Sequence, residues 1–315
     1  MGSDSTPQLP VIYLSDQTLK PGSEKWVEVR SDVRKALEDY GAFEVPYDRV
    51  SEELKQSVLE AMKELFELPV EAKRRNVSPK PYTGYSTHNG LSESLGIQDP
   101  EVLEKVNEFT QLLRPDCEGN KSISETIQKF SEKLAELDVM VRRMVMESFG
   151  IEKYFDEHLK STNYRLRLMN DFASVESKAD VSTNVNANAD LMPMLILIEG
   201  LEVLNKDEKW IRLKPSRNSF VVMAGDSVYA LMNGRLFRPF HRVRVTEKKK
   251  TRYSIALFST PIAGYIIEPP KELVDEKHPR VFKPFTYVDL MSFYHTEAGR
   301  RARSTLHAYC AVSEA

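Results

Sequence analysis

This chain of 315 residues predicts an α+β fold, a jelly roll with helices packed on its outside, and three observations carry that expectation. Apolar residues recur at helical spacing through the first half. From Asn163 the period switches to two. The two-periodic segments are short and follow one another closely, as in a jelly roll.

The elements follow in order. Glu24 to Tyr40 carries Trp26, Val29, Val33 and Leu37 on one helical face, with Gly41 placed to end the helix in a left-handed turn. Ala42 to Val45 reads as a strand. Ser51 is an N-cap for a second helix, with Glu52 and Glu53 in its first turn, Leu54, Val58, Met62 and Leu65 inward, and Pro69 as the stop. A third, long helix is expected from about Ser122 to Phe149, on Ile123, Ile127, Phe130, Leu134, Leu137, Val141 and Met144, ended by Gly150. Tyr164, Leu166 and Leu168 then alternate with Arg165 and Arg167, and further strands are read at Leu195 to Ile198, Leu201 to Val203, Ile211 to Leu213 and Ser219 to Met223. Residues His241 to Leu257 look like a β-hairpin turning on Glu247-Lys248-Lys249-Lys250. In the tail, Pro279 to Pro284 reads as extended and Asp289 to His307 as helical. Ser174 to Asp190 is rich in Ser, Asp, Asn, Ala and Val, holds nothing to bury, and is expected to be an exposed, partly disordered loop.

Composition narrows the function classes. The 44 basic and 47 acidic residues are interspersed, leaving a formal charge of −3 and no basic face for a phosphate backbone, so nucleic acid is not an expected partner. Cys117 and Cys310 indicate neither a disulfide framework nor a thiolate metal site. The polar start Met1-Gly2-Ser3-Asp4-Ser5 has no apolar leader and no apolar run approaches the ~18 residues of a membrane span, so a cytosolic chain without a membrane partner is expected.

The chemistry is concentrated in His241 and, after ten intervening residues, Arg252-Tyr253-Ser254. A neutral imidazole can bind a divalent metal, a guanidinium can grip a carboxylate with two parallel hydrogen bonds, and the Ser254 hydroxyl adds a donor on the face of Arg252. A metal beside a carboxylate clamp suits a 2-oxo acid. Taken singly, a histidine before a strand is more often structural, and a buried arginine can be neutralised by an internal Asp or Glu instead of a ligand.

The His-x10-Arg-x-Ser spacing, Gly234-Arg235, Pro239 to Val243 and Arg252 to Phe258 resemble plant Fe(II)- and 2-oxoglutarate-dependent dioxygenases, and the resemblance runs over nearly the whole chain. Val29 to Glu38, Asn76 to Ser78 with Pro81 to Tyr85, and Met144 to Tyr154 look most like the alkenyl- and hydroxyalkyl-producing oxygenases of aliphatic glucosinolate biosynthesis. The resemblance implies a double-stranded β-helix whose core is 161–265, an N-terminal region 1–120, a long helix and connection 121–160, and an extension 266–315. It implies Fe(II) on His241 and Asp190, 2-oxoglutarate on Arg252 and Ser254, ascorbate as reductant, a monomer, and a methylsulfinylalkyl glucosinolate as substrate.

Three departures qualify it. No histidine lies between His158 and His241, and Asn188-Ala189-Asp190 stands where the family has His-x-Asp, so an amide replaces the first imidazole. An amide oxygen suits calcium or magnesium better than iron. Between the strand at Leu195 to Ile198 and Gly200-Leu201-Glu202-Val203 the chain offers only Ile198-Glu199, a turn shorter than the family's. The tyrosine that contributes a hydroxyl to the oxo acid is expected just past Met169, where this chain reads Asn170-Asp171-Phe172. An inactive member that keeps the fold is therefore the competing expectation.

Overall fold

The computed structural model describes residues 8–78, 83–88, 92–115, 117–171, 191–196, 200–213, 219–243 and 251–312. Ser23 starts the first helix, α1 (Glu24–Asp39), its hydroxyl accepting from the Trp26 N–H at 3.2 Å, and Trp26, Val33 and Leu37 are buried. At Gly41 the backbone turns left-handed, with φ +64°, and a Cβ would run into the Phe237 carbonyl, so glycine alone lets the chain pass straight into β1 (Ala42–Pro46). Ser51 caps α2 (Glu52–Glu67) in the same way, burying Val58, Met62 and Leu65.

There follow α3 (Val70–Lys73), the antiparallel pair β2 (Ser86–His88) and β3 (Ser92–Gln98), α4 (Leu103–Leu113) and the 29-residue α5 (Asn120–Ser148). Next come α6 (Phe155–Lys160), β4 (Thr162–Asp171), β5 (Leu191–Ile196), β6 (Leu201–Leu204), β7 (Trp210–Arg212), β8 (Ser219–Ala224) and α7 (Asp226–Leu231). The chain closes with β9 (His241–Val243), β10 (Arg252–Pro261), β11 (Ile266–Ile267), β12 (Phe285–Thr286), α8 (Tyr287–Tyr294), α9 (Glu297–Arg301) and α10 (Thr305–Cys310).

A seven-stranded antiparallel sheet runs β1-β8-β5-β10-β4-β3-β2, and a three-stranded one runs β7-β6-β9. The period of two decides what each face meets. Leu95, Ile97, Leu166, Leu168, Phe220, Val222, Ile255 and Leu257 pack with the helices, against Ile127, Phe130, Leu134 and Val141 of α5. Burying each such α5 side chain contributes roughly 1.5–3 kcal/mol. The intervening Val221, Met223 and Ala256 instead join Leu201, Val203 and Ile211 of the small sheet in a second core. Two sheets face to face with helices on one outer side make the α+β roll that the sequence predicts.

Sequence expectation fails in three places. The hairpin from His241 to Leu257 does not form: β9 pairs with β6 in the small sheet, while β10 pairs with β4 and β5 in the large one. Alternation specifies a strand and its faces, and a roll passes consecutive strands between sheets as readily as it folds them back. The single C-terminal helix is three short ones, because the hydroxyls of Thr296 and Ser304 accept from the N–H groups of Gly299 and His307 and restart the helix each time. Short α3, β2 and α7 carry too little periodicity to be read, whereas α4, which buries Val106, Phe109, Thr110 and Leu113 at helical spacing, and the seven-residue β3 are elements that sequence reasoning missed. The loop 174–190, the turn Glu247 to Lys250 and Ile198-Glu199 lie outside the described residues.

Between α5 and β4 sits a buried polar network. Arg142 Nη2 donates to Asp138 Oδ2 at 2.9 Å, Arg142 Nη1 meets His158 Nε2 at 2.6 Å, and the Tyr164 and Ser259 hydroxyls donate to the same carboxylate at 2.9 and 3.2 Å. Burial, with the Arg142 cation beside it, pushes His158 down to about 3 from its ordinary 6.5. Its folded value lies below its unfolded one, so its contribution is complete above pH 6.5 and is lost as pH falls toward 3. Replacing it with glutamine, which keeps an acceptor for Arg142, is expected to remove about 2 kcal/mol of the stability lost between pH 6.5 and 5. Urea titrations of parent and His158→Gln at the two pH values measure this, and identical losses would place the acid sensitivity elsewhere.

Candidate active site

Along β10, Tyr253, Ile255 and Leu257 pack toward the helices, so Arg252, Ser254 and Ala256 face the interior of the roll. In the small sheet His241 stands opposite Val203 and Val243 opposite Leu201. Leu201 and Val203 line the inter-sheet core and Val243 packs on it, so His241 points into that same interior. The predicted metal ligand and carboxylate clamp therefore share one compartment. They enter it from opposing sheets, not from neighbouring strands.

The electrostatics suit their roles. Burial holds His241 down at about 4, so the imidazole is neutral at neutral pH, the form that binds a metal. Among the described residues its Nδ1 has no hydrogen-bond partner. The Arg252 side chain is 4% exposed, and its Nη1 donates to Ser254 Oγ at 3.2 Å and to Asp171 Oδ2 at 2.6 Å. Its Nε is buried with no partner among the described residues. An unpaired buried donor on a fixed cation, beside a hydroxyl, fits a further carboxylate oxygen. Asp171 is the internal carboxylate that a buried arginine calls for, and it faces Arg252 directly across the β4–β10 ladder.

Two more cations line this interior, and they were not legible from alternation alone. Arg167 pairs in register with Ala256 and Arg165 with Phe258, which puts both on the inner face. The Arg165 guanidinium lies 5.2 Å from the Phe258 ring centroid, and Arg167 Nη2 donates to Ser94 Oγ at 3.1 Å. A period of two announces two faces without saying which one the roll encloses; here the leucines meet the helices and the arginines are enclosed. Among the described residues, Arg165, Arg167, Arg252 and the Asp171 carboxylate thus bring charged groups to this inner face.

Tyr164 belongs to the helix-side network, and the described residues just past Met169, where the oxo-acid tyrosine is expected, are Asn170 and Asp171. Asp190, the predicted carboxylate ligand, and Asn188 lie outside the described residues. Among the described residues no three His, Cys, Asp or Glu side chains gather as a metal site, and of the expected ligands only His241 lies among them. Cavities of about 340 and 460 Å³ open elsewhere, the larger beside Trp210, Phe240 and Arg300 on the outer side of the small sheet, and neither is lined by His241, Arg252 or Ser254. No helix among the described residues is long and apolar enough to cross a membrane.

Known proteins resemble this chain in sequence and in fold. A family model described as the 2OG-Fe(II) oxygenase superfamily matches residues 179–261, and one described as the N-terminal part of a non-haem dioxygenase in morphine synthesis matches residues 9–123. An Arabidopsis thaliana protein named probable 2-oxoglutarate-dependent dioxygenase AOP1 is 58% identical, over 99% of this chain and 100% of its own. Another from the same plant, named probable inactive 2-oxoglutarate-dependent dioxygenase AOP2, is 51% identical over 100% of both chains. The crystal structure of a rice dioxygenase for auxin oxidation superposes with a TM-score of 0.79 at 27% identity, covering 97% of this chain and 100% of that one.

Proposed function

The chain belongs to the 2OG-Fe(II) oxygenase superfamily, and from that premise we propose that it is a 2-oxoglutarate-dependent dioxygenase that converts a methylsulfinylalkyl glucosinolate into a hydroxyalkyl or alkenyl product. The observation that carries the reading is the buried Arg252–Ser254 clamp facing the neutral His241 across the roll. Arg252 and Ser254 hold the distal carboxylate of 2-oxoglutarate, and His241 with Asp190 holds the iron. Bound there, iron and oxo acid supply the oxidising power of dioxygen for removing hydrogen from an unactivated carbon. The rest is done by the chain: Val203, Val243, Ala256 and Phe258 keep water from the compartment. Ascorbate as reductant, a monomeric state and a cytosolic location go with this reading.

A second reading is favoured by Asn188-Ala189-Asp190: an inactive member that keeps the fold and binds an oxo acid without turnover. One experiment separates the two. Purified protein is loaded anaerobically with Fe(II) and 2-oxoglutarate, given the glucosinolate and then exposed to air. The first reading expects succinate and a hydroxyalkyl or alkenyl product in step; oxo-acid binding without either establishes the second. In the same preparation Arg252→Lys is expected to weaken 2-oxoglutarate binding by about 1–3 kcal/mol, since an ammonium cannot reproduce the planar fork. Equal affinities by calorimetry would assign Arg252 to structure.

A further inference from the structure

We propose that Asp171 is a built-in competitor for the oxo-acid clamp, a carboxylate of the chain's own that occupies Arg252 and must yield before 2-oxoglutarate can take it. The inference rests on the reading of Arg252 and Ser254 as the oxo-acid site, and goes beyond it by assigning a residue that controls access. Asp171 Oδ2 accepts from Arg252 Nη1 at 2.6 Å, the geometry of a strong charge-assisted pair, and the two residues are direct partners across the β4–β10 ladder, so the backbone holds them in register.

The two partners are not equally fixed. The Arg252 side chain is 4% exposed and is also tied to Ser254, whereas the Asp171 side chain is 21% exposed at the last residue of its strand. The arginine is a stationary cation, and the aspartate can turn toward solvent. A dicarboxylate entering the clamp meets a cation already neutralised, and a like charge beside it. It either displaces Asp171 or shares Arg252 with it, and each lowers affinity by the fraction of time the clamp stands open. The unpartnered Nε leaves part of the guanidinium available, so the contact attenuates binding without abolishing it.

The test is anaerobic titration calorimetry of the full chain with 2-oxoglutarate, and with pyruvate, which lacks the distal carboxylate. Asp171→Asn and Asp171→Ser, checked for folding by thermal melts, are compared with the parent and with Arg252→Lys. Both uncharged variants are expected to bind 2-oxoglutarate about tenfold or more tightly than the parent, with pyruvate unchanged. Unchanged or weaker 2-oxoglutarate binding in both variants, while Arg252→Lys still loses affinity, overturns the proposal and leaves the clamp reading standing, because Asp171 then only orients Arg252. Affinity that responds to none of the substitutions overturns the clamp reading and the proposal with it.

Discussion

Arg142→Leu is expected to lower the free energy of unfolding by on the order of 3–5 kcal/mol, the cost of leaving one half of a buried ion pair without the other. Its side chain is 2% exposed and that of Asp138 is fully buried, so neither charge can turn to water when its partner goes. The Tyr164 and Ser259 hydroxyls still reach the Asp138 carboxylate in the variant, which keeps the loss finite, but two neutral donors cannot replace a guanidinium. The network ties α5 to β4 and β10, the strands that carry Asp171 and Arg252, so the effect reaches the candidate site through its scaffold. Adding Asp138→Leu to Arg142→Leu is expected to recover part of the loss, because an apolar pair of similar size carries no unpaired charge. Urea unfolding of the three proteins decides it, and a loss below about 1 kcal/mol for Arg142→Leu would mean that the buried pair contributes little to holding the fold.

How much was legible depends on the range of each signal. Helices α1 and α2 were readable to within a residue or two because their information is local: Ser23 and Ser51 cap them, and Gly41 ends the first. The switch of period at Asn163 announced the roll for the same reason. Pairing is not local. His241 and Arg252 are close in sequence and both stand on strands, yet they belong to different sheets, and nothing in a period of two distinguishes a hairpin from a crossing between sheets. The Arg252–Ser254 pair was visible as Arg252-x-Ser254, two side chains on one face of one strand. The partner of Arg252, Asp171, lies on another strand, and only the register shows that the two face each other. Arg165 and Arg167 carried the right alternation, and their role waited on knowing which face the helices cover.

The largest functional effect is expected from Asn188→His. If Asn188-Ala189-Asp190 occupies the position of His-x-Asp in the family, the substitution restores the imidazole that the chain lacks and completes a set with Asp190 and His241. Imidazole is a better donor to Fe(II) than an amide oxygen, and neutral imidazole is the dominant form at neutral pH. The gain in iron affinity should at least match the ~10–100-fold that the loss of a mere supporting contact costs a metal site. Anaerobic iron titration measures it without turnover, and oxygen uptake that depends on 2-oxoglutarate shows whether a completed site also works. Asp171→Asn in the same protein separates two causes of weakness: the histidine should act on iron affinity and the asparagine on oxo-acid affinity, so iron binding in the double variant should match that of Asn188→His alone. Tight iron with new oxygen uptake would describe a dioxygenase one substitution short of competence. Iron affinity no higher than the parent's would mean that the residues before β5 do not bring Asn188 to His241, and Asp190 would then lose its claim as a ligand, while the clamp on β10 would keep its own.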